Sequence, residues 1–205
     1  MPKVKLTKNE LKKERDALRQ YNRYLPTLQL KKQQLQMEIV KQASVVEERK
    51  AQERYRLHEV EVWAQLLSDS AVDLKGWVVP TRVHAGTRNI AGVDIPVFER
   101  AEFAHAEYDL FLTPLWVDGA IDMLRALATL RAETVLLEKG AAILRQELRT
   151  TAQRVNLFEK VKIPEAEEAI RRIKIYIGDQ MTNAVGRCKI AKAKIEGAYI
   201  AEASA

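Results

Sequence analysis

One feature narrows the possible folds of this chain more than any other: an apolar row that returns every seven residues for more than sixty residues. Val4, Leu11, Leu18, Leu25, Ile39, Val46, Val60 and Leu67 form it, interrupted by Lys32 and Glu53. A partial companion row, Tyr21, Leu28, Leu35 and Trp63, alternates with Gln42, Arg49 and Arg56. A seam sustained over this many heptads is the signature of a coiled coil, because only a supercoiled helix keeps one stripe on a partner for so long. The polar gaps are expected to fix register and leave room for outside contacts. Thr7-Lys8-Asn9-Glu10 opens the helix as a capping box, with Leu6 and Leu11 at the flanking staple positions. Lys75-Gly76 reads as its end, a last-turn cation followed by a C′ glycine. At ~1.5 Å per residue, a helix over residues 8–75 is roughly 100 Å long.

A second periodic stretch lies near the other end. Leu137, Ala141, Leu144, Leu148, Val155 and Phe158 form one stripe. Ile163, Ala166, Ile170, Ile173, Ile177, Met181, Ala184, Cys188, Ala191, Ile195 and Ala198 continue it. The step from Ile177 to Met181 adds a second consecutive four, a stutter that locally unwinds a supercoil. Thr113-Pro114 is expected to start this helix, threonine as N-cap and proline at N1. Residues 76–113 differ, being punctuated by Gly76, Pro80, Gly86, Gly92 and Pro96. Val78–Ile90 and Val93–Arg100 read as a β-hairpin turning at Ala91-Gly92, with Pro96 in its second strand. Ala101–Asp109 reads as a short helix or loop.

The predicted fold is therefore all-α dominated: two very long helices in an antiparallel coiled coil, with a short central β-hairpin. The predicted segments are 1–75, 76–113 and 114–205. Joining the helices through residues 75 and 114 places Pro26 opposite Ile163-Pro164, so both prolines are expected to bend the pair at one height. Trp63, Trp77 and Trp116 are expected to pack a small core at the fold-back end.

Chemistry is expected elsewhere than in this chain. There is no phosphate-binding glycine loop, and His58, His84 and His105 lie at no metal-ligand spacing. The single Cys188 excludes an internal disulfide and, lying on the apolar stripe, reads as a small core residue. No apolar run reaches the ~18–20 residues that a membrane span needs. We expect a non-enzymatic cytoplasmic protein without cofactors. The net charge of +6 is uneven. Residues 1–41 carry eleven Lys or Arg against four Asp or Glu, and residues 171–198 carry seven against two. Lys12, Lys13, Arg15 and Arg19, with Arg187, Lys189, Lys192 and Lys194, are candidate contacts to an acidic partner, expected to converge at the tip formed by the two termini. A solvated surface is the alternative reading of these charges. Basic residues without interleaved aromatics argue against nucleic acid.

Three stretches carry a family resemblance. They are Leu6-Thr7-Lys8 through Leu11, the hairpin Asn89-Ile90-Ala91-Gly92-Val93-Asp94-Ile95-Pro96, and Arg154-Val155-Asn156-Leu157-Phe158-Glu159-Lys160-Val161-Lys162-Ile163-Pro164. Together they resemble the D subunit of the V/A-type rotary ATPases. The last is close to that family's R-V-N-x-L-E-x-V-x-I-P signature, carried here by Arg154, Val155, Asn156, Glu159, Ile163 and Pro164. Phe158 stands where leucine is usual, and Tyr24-Leu25-Pro26 replaces a more regular run. The resemblance implies a non-catalytic central-stalk shaft, peripheral to the membrane. It implies pairing with the small F subunit of the stalk and insertion into a ring of catalytic and non-catalytic nucleotide-binding subunits. It also implies docking through an adaptor subunit onto the membrane rotor, for ATP-coupled proton or sodium transport. A prefoldin-like holdase is the alternative, since it too joins two helices through a hairpin.

Overall fold

The computed structural model describes residues 5–65, 74–109 and 113–203, and the side chains up to Gly197. Element order is α1 (Lys8–Glu61), α2 (Lys75–Val78), β1 (Pro80–Ile90), β2 (Val93–Phe103) and α3 (Trp116–Leu157). A π-turn (Phe158–Lys162) and α4 (Ile163–Ala203) complete it. The fold is mostly helical with one antiparallel two-stranded hairpin, as the periodicity predicts. Two compact units are formed: residues up to Gln29 with those from Gln153 onward, and Leu30–Ala152.

In the Leu30–Ala152 unit, α1 and α3 run antiparallel. Leu35 and Leu144 are fully buried, and with Ile90 and Ile95 they form one core where both helices meet the hairpin. Ile39, Leu148, Ala91 and Val93 pack around it. Full burial of side chains this size contributes about 1.5–3 kcal/mol each, so this junction is a main anchor of the unit. Gly140 permits the close approach. A Cβ there would stand 3.6 Å from Ile95 Cβ and 3.8 Å from the Pro96 carbonyl oxygen. Alanine fits that contact and is the better helix former, by up to about 1 kcal/mol. Valine does not fit. We expect Gly140→Ala to raise the urea midpoint and Gly140→Val to lower it.

Two polar gaps in the α1 seam, Arg49 and Glu53, are filled by ion pairs to α3, and Lys31 and Lys50 beside the seam pair likewise. Arg49 Nε lies 3.1 Å from Glu133, and Glu53 accepts from Arg131 at 2.8 Å. Lys31 reaches Glu147 at 3.0 Å. Lys50 reaches Glu138 at 2.8 Å; this hydrogen bond holds the glutamate below its ordinary range and the lysine above its own. Each such half-exposed pair is worth no more than about 1 kcal/mol, so together they set register more than stability. Thr134, buried in the seam, satisfies its hydroxyl on the Leu130 carbonyl at 2.8 Å.

The hairpin turns where predicted. Ala91 (φ 52°) and Gly92 (φ 74°) both take positive φ, the two-residue geometry that matches strand twist. Asn89 holds the turn: its Oδ1 accepts from the Gly92 N–H at 3.1 Å, and its Nδ2 donates to Asp94 at 2.7 Å. Ala91 is the strained member, because an L-residue in this region costs about 1 kcal/mol or more. Ala91→Gly is therefore expected to raise stability by about 0.5–1 kcal/mol, measured by urea denaturation. The second strand is longer than predicted, running through Phe103. Residues 104–109 follow without regular structure, so no helix forms in the Ala101–Asp109 stretch.

At the far end of this unit Leu74, Val117, Ala120 and Ile121 form a second core. Trp63, Trp77 and Trp116 pack against it, as expected of the three tryptophans. Arg125 ties the pieces together. Its Nε donates to the Trp77 carbonyl at 3.0 Å and Nη2 to the Ala104 carbonyl at 2.7 Å, and its guanidinium lies 5.4 Å from the centre of the Phe103 ring. Trp77 in turn stacks on Tyr108, whose hydroxyl hydrogen-bonds Asp118.

Helix boundaries depart from the sequence reading at this end. α1 stops at Glu61 rather than 75, and residues 66–73, with Leu67, lie outside the described region. Gly76 sits inside the four-residue α2 and has no positive φ, so it is no C′ glycine. Trp63, just past the end of α1, packs into the same core as Leu74 and Val117. α3 begins at Trp116. The Thr113 hydroxyl turns back to the Asp109 carbonyl at 2.7 Å instead of capping α3, and the Val117 N–H bonds the Pro114 carbonyl.

Candidate functional site

In the other unit the N-terminal half of α1 lies against α4 and the end of α3. Thr7 caps α1, its hydroxyl accepting the Glu10 N–H at 3.3 Å. The family-like stretch Arg154–Pro164 supplies the seam here. Val155 is buried and Ile163 half-buried, whereas Arg154, Asn156, Glu159 and Pro164 lie toward solvent. Phe158, the departure from leucine, stacks on Tyr21 of α1 with ring centres 5.3 Å apart.

That contact fixes the pairing and corrects the predicted register. Counting from Tyr21 and Phe158, Pro26 faces residues near 153, and Pro164 faces residues near 15. The two prolines are thus offset by roughly 16 Å along the helices at ~1.5 Å per residue. They share no common height. The predicted pairing assumed that α1 runs to residue 75 and the second helix starts at 114; the observed bounds are Glu61 and Trp116. Pro26 sits inside an unbroken α1. At Pro164 the second long helix is not uniform. A π-turn precedes it, and the Ile163 N–H bonds the Phe158 carbonyl instead of the nearer one. Proline has no N–H and its ring clashes with the carbonyl four residues back, and widening the preceding turn relieves that clash.

The same pairing sets where the basic residues lie. Ala166, Ala169, Ile170 and Ile173 are buried against α1, and burial ends there because α1 begins at Lys8. From Lys174 to Gly197 every residue but the half-buried Ile177 is exposed. Met181, Val185, Ile190 and Ile195 present 55–60% of their surface. The predicted stripe through Ala184, Cys188 and Ala191 is a solvent face in this chain, and Cys188 is an exposed thiol rather than a core residue. Lys12, Lys13, Arg15 and Arg19 lie on the α1 turns that face residues near 160–167. Arg187, Lys189, Lys192 and Lys194 lie about forty ångströms farther along α4. All eight are on helices in this unit, but the two groups do not meet at one level.

Charge in between is paired along the helix. Glu168 bridges Arg171 at 2.8 Å and Arg172 at 2.8 Å, and these hydrogen bonds hold its carboxyl down to about 2. The pairing is therefore present above the ordinary carboxylate range and lost only as the pH falls toward 2. Among the described residues no cluster of three His, Cys, Asp or Glu could hold a metal, and no helix is long and apolar enough to cross a membrane.

Paired long helices and one antiparallel hairpin define a mostly helical, coiled-coil-like protein. A family model described as the ATP synthase D subunit matches residues 10–193. A V-type ATP synthase D subunit of Borreliella burgdorferi is 45% identical over 195 residues, covering 95% of this chain and 96% of that protein. Counterparts with the same description in Chlamydia pneumoniae and Chlamydia muridarum are 34% and 35% identical, covering 94% of this chain and 93% and 96% of theirs. The chain belongs to the ATP synthase D-subunit family of V/A-type rotary ATPases.

Proposed function

We propose that this chain is the non-catalytic rotor shaft of a V/A-type ATPase, carrying torque between a nucleotide-binding ring and the membrane rotor. One observation carries most of the weight. Beyond Ile173, α4 leaves the last residues that pair with α1 and continues as an exposed helix bearing both apolar and basic side chains. An isolated chain gains nothing from such a helix, since an unpacked helix is only marginally stable in water. A surrounding ring would cover it. The other partners implied by the family, the small F subunit and the adaptor subunit, would take surfaces nearer the hairpin. Lys12, Lys13, Arg15, Arg19, Arg187, Lys189, Lys192 and Lys194 would face acidic surfaces of the ring. Such contacts must be weak and distributed if the shaft is to turn, and exposed ion pairs at about 0–1 kcal/mol each have that property.

Cys188 offers a direct test, being exposed and the sole cysteine. In the assembled complex, a cysteine introduced on the ring wall facing it should form a disulfide with Cys188. We expect oxidation to stop ATP turnover and reductant to restore it. A fully crosslinked complex that hydrolyses ATP at the uncrosslinked rate would refute rotation of this chain.

A further inference from the structure

The feature that neither the family nor the shaft reading explains is the π-turn at Phe158–Lys162. Three observations coincide there. First, the helical ladder is broken: Ile163 bonds Phe158 across the wide turn, and Pro164 has no N–H to give to a carbonyl behind it. Second, the packing between helices is open. A cleft of about 560 Å³ lies beside the turn, lined by Glu14 and Tyr21 of α1 and by Lys160, Lys162, Pro164 and Ala169 among others. Third, the ion pairs described at this level, Lys162 to Glu165 and Glu168 to Arg171 and Arg172, run along one helix. Among the described residues, four pairs bridging α1 to α3 lie in the Leu30–Ala152 unit.

We infer that residues 158–164 form a compliant joint in the second long helix, a place where it bends and twists while the seams on either side stay packed. The physics is local. A wide turn of a kind rare in helices, followed by a missing donor, opens at lower cost than an α-turn. The cleft gives the turn room to move without collision, because close-packed interiors elsewhere resist such displacement. Val155 buried in the seam bounds the joint on one side, with Phe158 at its edge packed on Tyr21, and Ala166, Ile170 and Ile173 bound it on the other. Deformation is thereby confined to about two turns. The joint is a property of the chain alone and does not depend on the shaft reading.

Native-state amide hydrogen exchange on the full-length protein, read by mass spectrometry with overlapping peptides, tests it. Amides of residues 160–163 should exchange at least about tenfold faster than those of 148–155 and 169–173. Pro164→Ala supplies the missing donor, lets the ladder close as an α-turn, and should slow exchange at 160–163 by about tenfold while leaving 148–155 unchanged. Equal protection across all three stretches in the natural protein overturns the proposal. So does a folded Pro164→Ala variant whose exchange at 160–163 is unaltered. If that variant does not fold, the comparison within the natural protein decides alone.

Discussion

Leu144→Ala is expected to lower unfolding free energy by about 2–5 kcal/mol, read from urea titrations followed by helical circular dichroism. Leu144 is fully buried and packs with Leu35 of α1 and with Ile90 and Ile95 of the hairpin. Truncation leaves a cavity bounded by two helix backbones and a docked hairpin, and none of the three can move in without giving up its own contacts. On the hairpin side Ile95 already packs close to the α3 backbone at Gly140. Leu157→Ala is the control. Leu157 is 45% exposed, and its loss should cost well under half as much. Equal effects at the two positions would mean that the hairpin junction is not an anchor of the fold.

The second large effect is on assembly. Replacing Arg187, Lys189, Lys192 and Lys194 together by glutamine should weaken association with the nucleotide-binding ring on the order of fourfold to several hundredfold at low salt, at about 0.2–1 kcal/mol per charge. The natural chain should lose affinity steadily as salt rises, because the screening length falls below ~8 Å above physiological ionic strength. The quadruple variant should respond to salt far less, so the two converge at high salt. Helical content should not change, since all four side chains are exposed and the one ion pair described among them, Lys192 to Glu196 at 3.6 Å, lies at the surface. The parallel variant lacking Lys12, Lys13, Arg15 and Arg19 tells the two basic groups apart, because they sit at different levels along α4. If neither variant alters affinity at any salt concentration, these residues are a solvated surface and the ring is held by apolar contacts alone.

Much of this protein is legible in its sequence. The heptad row declares α1 as one long helix, because only a continuous helix returns Leu18, Leu25, Ile39 and Val46 to one face. Ala91-Gly92 declares the hairpin, since a two-residue turn between alternating strands demands positive φ. The Arg154–Pro164 stretch declares the family, although its residues do not announce the π-turn they form. A proline deep in a long periodic helix with no cap before it is the available signal, and by itself it reads as a kink.

What the sequence by itself determined is which face of each helix is apolar, that the helices are long, and where the hairpin turns. What only the tertiary structure decided is the axial pairing. A seven-residue repeat looks the same after every heptad, so periodicity fixes the face and leaves the sliding coordinate free. The coordinate is set by particular side-chain contacts, and α1 ends at Glu61, fourteen residues before the end that Lys75-Gly76 suggested. Arg49 with Glu133 and Glu53 with Arg131 then pin the register. In the other unit Tyr21 against Phe158 does the same: the two prolines part, α4 outruns α1, and Cys188 with its apolar neighbours passes from a core to a surface.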